Sequence, residues 1–381
     1  MAHIDLIKYP FVAGPSDFSP SRFGLPRDTD SSTIISIIIR GALDRLREIF
    51  PLVLTDILSE RMRVNTKIFM DEYESIACYK LLLAVAKSIG DRKLINRIAL
   101  AYAKSARRSL FKEDDSVILS IASKIGLHLV YVENPPALPV FTNNVGGGKN
   151  RARGAFLPLN YSLPVIEFTG IVAERLSQDP AYSLENNVVS EGKVYMNKRM
   201  ILRILEEAVI KHIITDAVSM DISSLNIPLQ DFIDKAREKL VDAGWFKSIT
   251  ARGTMETSEV GGLITEALPP CISRIISIVE SGGNPSHEER FNLAAFLANI
   301  GLDVDSILEY FRKTPDFNEK IARYQVEHIS GMKGSRKKYM PYSCEKMKST
   351  NICPISDRCK GGRNPLSVYR YNLKHGLKRE R

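Results

Sequence analysis

The 381-residue chain has no run of 18 apolar residues, so no membrane-spanning helix is expected. Its opening, MAHIDLIKYPFV, has neither a basic n-region nor a small-residue cleavage site; secretion is not expected, and the default compartment is intracellular, the cytoplasm. Five cysteines, an odd and small number, argue against a disulfide scaffold. There is no internal repeat and no low-complexity tract. No H-E-x-x-H, G-x-S-x-G or dinucleotide fingerprint occurs. Val145–Lys149 is glycine-rich, but Asn143 and Asn150 stand where a P-loop needs Gly and Ser/Thr. It reads as a flexible basic loop, with Lys149, Arg151 and Arg153 near any bound nucleic acid. With 44% hydrophobic and 25% charged residues, the chain is an ordinary globular protein, long enough for two or three domains.

Positive charge is unevenly placed. Residues 320–381 hold 16 Lys/Arg against 4 Asp/Glu, whereas the preceding 319 hold 37 against 40. The whole excess of +9 therefore comes from the last sixth of the chain. Such a field attracts phosphates, and counterion release makes the binding salt-dependent; the plain alternative is a solubilising basic tail.

The first third carries helical periodicity over 34–50, 69–89, 93–110 and 115–125, the third of these with Arg and Lys on its outer face. The middle is punctuated by Pro and Gly, and 127–132, 137–141, 164–168, 187–189 and 193–196 read as strands. Asn197 is placed to cap a helix through 214. The stretch 216–228 reads as a linker, 230–243 as an amphipathic helix, and 253–262 as a loop or second linker. The expectation is a mainly α chain with a small α/β part. A helical domain over 1–215 carries a small mixed-sheet subdomain, 216–262 forms a linker region, and 263–381 is an all-helical C-terminal domain.

Cys78 lies on an apolar helical face and reads as a small buried hydrophobe. Cys271, Cys344, Cys353 and Cys359 differ: the last three are spaced C-x8-C-x5-C, and Pro flanks both Cys271 and Cys353. Four thiolates complete a tetrahedral zinc or an iron–sulfur cubane. Zinc knuckles pair their ligands tightly, and no such pair is present, so the irregular spacing suits the bulkier cubane. Four unrelated cysteines, or two disulfides, are the plain alternatives. A compact run of four, as in helical iron–sulfur DNA glycosylases, is absent: Cys271 lies far upstream.

Between these cysteines, Ser286-x-x-Glu289 is a capping box opening a helix that Gly301 ends. Asp303 and Asp305 superficially resemble a metal-binding carboxylate pair, but an N-cap with a first-turn acid accounts for them better. His287 and Arg290, one turn apart near a helix N-terminus, form a natural phosphate site or a plain surface pair.

The ordered segments PPCI, SHEERFNLAAFLANIGL, YQVEHISG and YMPYSC, with the two later cysteines, resemble the iron–sulfur domain of the large subunit of archaeal and eukaryotic DNA primase, over about residues 265–375. The chain's length favours an archaeal member. The resemblance implies a [4Fe-4S] cluster on Cys271, Cys344, Cys353 and Cys359, and a grip on the primer 5′ triphosphate by His287 and Arg290. The family's Tyr and His fall on Tyr324 and His328. Two arginines of the eukaryotic pattern are Ser286 and Glu327 here, so part of that grip is missing or comes from elsewhere. Lys333, Arg336, Lys337 and Lys338 with Tyr339 and Tyr342 add phosphate contacts and stacking surfaces, or form a solvated loop. The expected function is that of a non-catalytic subunit in DNA replication. It binds single-stranded template and the initiating nucleoside triphosphate, and the catalytic small subunit, its partner in a heterodimer, makes the RNA primer. The 156–168 region is a candidate docking surface for that subunit. The alternatives are an iron–sulfur repair glycosylase or nuclease and a zinc-structured nucleic-acid-binding protein.

Overall fold

The computed structural model describes residues 2–14, 17–18, 26, 29, 31–142, 153–176, 179–245, 263–334, 336–354, 359 and 362–375. The Val145–Lys149 loop with Arg151, and the loop read over 253–262, lie outside the described residues, as does the side chain of Arg153. The chain divides into two compact units. Unit 1 takes residues 1–56, 63–85 and 101–232; unit 2 takes 57–62, 86–100 and 233–381.

Unit 1 begins with α1 (Ser31–Gly41) and α2 (Leu43–Leu58), where one helix over 34–50 is expected. The two helices part at Ala42, and α2 continues through Pro51, whose ring forfeits one backbone bond. Leu46, Ile49, Phe50, Val53 and Leu54 are all buried at helical spacing, and this packed face outweighs the proline's cost. Helices α3 (Glu72–Ile89), α4 (Arg92–Leu110) and α5 (Asp115–Lys124) follow within a residue or three of their expected bounds. Cys78 is fully buried, as expected of a small hydrophobe, and burial pushes its thiol pKa up. Beside it Tyr79 and Tyr102 meet edge to face at 5.1 Å.

The strands are β1 (Val130–Tyr131), β2 (Ala137–Thr142), β3 (Arg153–Pro158), β4 (Tyr161–Pro164), β5 (Val188–Ser190) and β6 (Lys193–Met196). Four pair in the order β1-β4-β6-β5, while β2 and β3 form a separate hairpin. The small sheet part expected from sequence is present, and every strand pair in it is antiparallel. The expected strand at 164–168 is also corrected. Pro164 ends β4, and α6 (Val165–Arg175) starts there because Phe168, Ile171 and Val172 bury one helical face. Val and Phe in a short run do not by themselves separate strand from helix. The β5–β6 hairpin is as expected: Ser190 opposes Lys193, and the two turn residues, Glu191 and Gly192, both have positive φ, as a type I′ turn requires.

Asn197 caps α7 (Lys198–Ser219), its Oδ1 accepting from the Met200 amide at 2.9 Å. The stretch read as a linker carries the end of α7 and α8 (Ile222–Leu225), where the Ser36 hydroxyl donates to the Leu225 carbonyl at 2.6 Å. Helix α9 (Gln230–Asp242) follows.

Unit 2 contains α10 (Pro270–Glu280), α11 (His287–Asn299), α12 (Val304–Arg312), α13 (Glu319–Ile329), α14 (Cys344–Ser349) and α15 (Pro365–His375). Among the described residues the strands all lie between residues 130 and 196. The core gathers Ile272, Ile275, Leu293, Phe296, Leu297, Ile307, Leu308 and Tyr369, with Cys271 among them. Arg97 is buried and donates to the carbonyls of Ile57, Leu58, Ser59 and Pro315, satisfying the open C-terminal end of α2. Among the described residues no helix is long and apolar enough to cross a membrane.

Candidate functional site

Three of the four C-terminal cysteines are placed by different local devices. Pro269 and Pro270 start α10, putting Cys271 in its first turn, where it is 5% exposed. Ser343 caps α14 by accepting from the Lys346 amide, so that Cys344 is its first residue, and the Cys344 amide donates to Arg363 at 2.9 Å. The amide of Cys353 donates to Met347 at 2.9 Å. Cys359 is half-buried. None of the four is in a disulfide. They stand in one another's electrostatic field. Burial, then the Cys359, Cys353 and Cys344 thiols, push Cys271 up to about 12. Cys344 and Cys359 are raised by burial first and by neighbouring thiols next, with Lys348 opposing in both. Among the described residues no set of three or more His, Cys, Asp or Glu is arranged to hold a metal ion. The donor set is four soft sulfurs from separate segments, with no carboxylate or imidazole, and that chemistry fits an iron–sulfur cluster.

Helix α11 shares its buried face with Cys271 in the unit 2 core. Its capping box is complete: Ser286 accepts from the Glu289 amide at 3.2 Å, and the Glu289 carboxylate accepts from the Ser286 amide at 2.8 Å. His287, at the first helical position, is exposed and has no side-chain partner among the described residues. Arg290 is engaged. It meets Asp316 at 2.6 Å, donates to the Pro285 carbonyl at 3.0 Å, and donates to Asn284. Sequence gave no sign of Asp316 as its partner, since the two lie on different elements.

Two asparagines seven residues apart on α11 fasten the extended segment that follows the basic loop. The Asn299 side chain donates to the Tyr339 carbonyl at 2.7 Å, and the Asn292 Oδ1 accepts from the Tyr342 amide at 2.7 Å. This sets a row of rings. Tyr324 stacks on His328 at 6.4 Å and 27°, and His328 faces Tyr339 at 5.3 Å. Tyr339 meets the edge of Phe291 at 6.1 Å, Phe291 lies 5.3 Å from Tyr342, and the Lys346 ammonium sits 4.5 Å over Tyr342. Tyr324 is 59% exposed and Tyr339 37%. Phe291 and Lys346 were not singled out from sequence. Phe291 is indistinguishable there from the helix's core residues.

The basic loop turns at Gly331, Gly334 and Arg336, all with positive φ. A Cβ on Gly334 would stand 2.7 Å from the His328 ring, so the backbone packs directly on the imidazole. Arg336, Lys337 and Lys338 are exposed, without side-chain partners among the described residues; Lys333 pairs with Glu327 at 2.5 Å. Asp303 caps α12, accepting from Ser306 at 2.8 Å, which holds its carboxyl below the usual range, and Asp305 pairs with Arg323. That pair is structural, as its place at a helix start implies.

Residues 262–377 match the family described as the C-terminal domain of the eukaryotic and archaeal DNA primase large subunit. Relatives named as DNA primase large subunits match about half of the chain or more. A DNA primase large subunit of Methanococcoides burtonii is 27% identical over 96% of this chain and 91% of its own. Those of Methanopyrus kandleri and Thermoplasma acidophilum are 37% and 36% identical, over 47% and 51% of this chain and 40% and 53% of theirs. The chain is thus similar to the large subunits of archaeal DNA primase along most of its length, and its residues 262–377 match the C-terminal domain that archaeal and eukaryotic members share.

Proposed function

We propose that unit 2 holds single-stranded template and the initiating nucleoside triphosphate, while a separate small subunit, partner in a heterodimer, forms the phosphodiester bond. The observation that carries this is the ring row from Tyr324 to Tyr342, bordered by the exposed cations Arg336, Lys337 and Lys338, which have no side-chain partner among the described residues. Successive ring faces suit unstacked bases, and the cations suit the backbone between them. His287, exposed at the start of α11, is the free group for a triphosphate. Arg290, neutralised by Asp316, acts first by holding the entry to α11 and gives up that ion pair to reach a phosphate. The contribution is positional: it brings two nucleotides and a template into register for the partner's chemistry.

Cys271, Cys344, Cys353 and Cys359 would hold a [4Fe-4S] cluster, which in this reading ties α10 and α14 into one body. Lys348 and the surrounding basic segment offset the charge of four thiolates. Purified protein is expected to be brown and to carry four irons per chain; one zinc and no colour would replace the cubane by a zinc site. Tyr324→Ala and Tyr339→Ala, assayed with the co-expressed small subunit, should cut primer initiation about tenfold or more and leave extension of a preformed primer within about threefold, the stacking of one base being worth ~1–3 kcal/mol. Equal losses in both assays would contradict an initiation role.

A further inference from the structure

Unit 1 has a cleft of about 410 Å³ lined by Lys8, Arg108, Ser109, Lys112 and Glu113. Its charges are not equivalent. Glu113 is committed: it pairs with Lys8 at 3.0 Å and accepts from the Tyr9 hydroxyl at 3.3 Å. Lys8 also meets Asp5 at 3.3 Å, so its ammonium is neutralised locally. Arg108, in the last turn of α4, and Lys112, in the turn after it, are exposed and have no ion pair among the described residues. A helix dipole favours cations at such a place, so their presence alone needs no ligand. Their opening on one cleft, whose remaining lining is Lys8, Glu113 and a Ser109 already hydrogen-bonded to Tyr9, is what the dipole does not explain. The lining carries two uncompensated positive charges and no aromatic ring, so it offers nothing for a nucleobase to stack on.

We infer that this cleft is a phosphate-binding site, taking the phosphodiester backbone of a nucleic-acid strand without reading its bases. The inference does not rest on the function proposed for unit 2, since no residue is shared. Backbone contact of this kind adds affinity and salt dependence and no sequence preference.

The test is fluorescence anisotropy of a labelled oligothymidylate against the full chain over a range of salt. The Arg108→Gln/Lys112→Gln protein is compared with Arg63→Gln/Lys67→Gln, which removes two exposed cations elsewhere on unit 1 that have no ion pair among the described residues. Two lost contacts to a single strand should lower the slope of log K against log salt by about 1.4, and the matched control should leave it in place. The same drop should persist when Arg336, Lys337 and Lys338 are all changed to Gln. If that triple change alone has no effect on the slope, the unit 2 reading fails and this one stands. Inorganic pyrophosphate, titrated in parallel, separates the two sources of phosphate. Affinity for it that vanishes in Arg108→Gln/Lys112→Gln, with the oligonucleotide slope unmoved, keeps the phosphate site and assigns it to free phosphate. Identical behaviour of the two double variants with both probes overturns the inference. So does an unmoved slope with loss of the co-purifying small subunit, because the cleft then holds an acidic protein segment. Circular dichroism melts confirm that both doubles are folded.

Discussion

Lys93 shows how a single side chain can work against the unit that holds it. Its ammonium donates to the Arg312 carbonyl at 2.7 Å and lies 3.9 Å from the ring of Trp245, the only tryptophan in the chain. Trp245 in turn donates to Asp91 at 2.7 Å. Burial lowers the Lys93 pKa to about 8, with Asp91 opposing and Arg97 assisting. The folded value lies below the ordinary 10.5, so folding penalises the charged form. The penalty is complete below pH 8 and fades as pH climbs towards 10.5. The upper bound on this rise is about 3 kcal/mol. Urea unfolding followed by Trp245 fluorescence should show it in the wild type between pH 7.5 and 10 and not in Lys93→Met, so the stability difference between the two proteins changes with pH by about that amount. None of this was legible in the sequence, where Lys93 is one more cation at the start of an amphipathic helix. Arg290 and Asp316 make the same point: both are ordinary surface types, and only the approach of two elements makes them a pair.

At the scale of the element, α11 was readable almost to the residue. The capping box, the apolar face and the terminating Gly301 are local signals, because each acts within a turn or two of chain. The pinning of 339–342 by Asn292 and Asn299 was not readable, since an asparagine inside a helix reveals its partner only after the chain returns. Asn292 is fully buried. Asn292→Leu leaves the Tyr342 amide without its acceptor, which should cost about 1–3 kcal/mol. The expected signature in hydrogen exchange is loss of protection at Tyr342, with the α11 amides retained. α6 failed for the opposite reason: its opening residues have strand-like composition, and burial of Phe168, Ile171 and Val172 decided for helix.

For the molecule as a whole, the four thiols lie on segments spread over unit 2, from the start of α10 to Cys359. A thiolate set that binds metal stores its binding energy as folding energy. Cys271→Ser is therefore expected to abolish iron incorporation and to lower exchange protection throughout 263–375, while the buried strands and helices at 161–217 keep theirs. Cys78→Ser, a fully buried thiol outside the set, should leave iron content unchanged. If protection in 263–375 survives without iron, the packed apolar core suffices there and the proposed cluster is not needed for the fold.

By itself the sequence determined the identities that chemistry demands: which cysteines could share a metal, where the positive charge is concentrated, and where most helices start and stop. These are properties of residue type and short spacing, fixed before the chain folds. The tertiary structure alone decided the field that Cys271 shares with the other three thiols, the alignment of rings from Tyr324 to Tyr342, the engagement of Arg290, and the recruitment of residues 57–62 and 86–100 into unit 2. Each of these depends on contacts between residues distant along the chain, and such contacts are set by burial and packing of whole faces rather than by any local pattern.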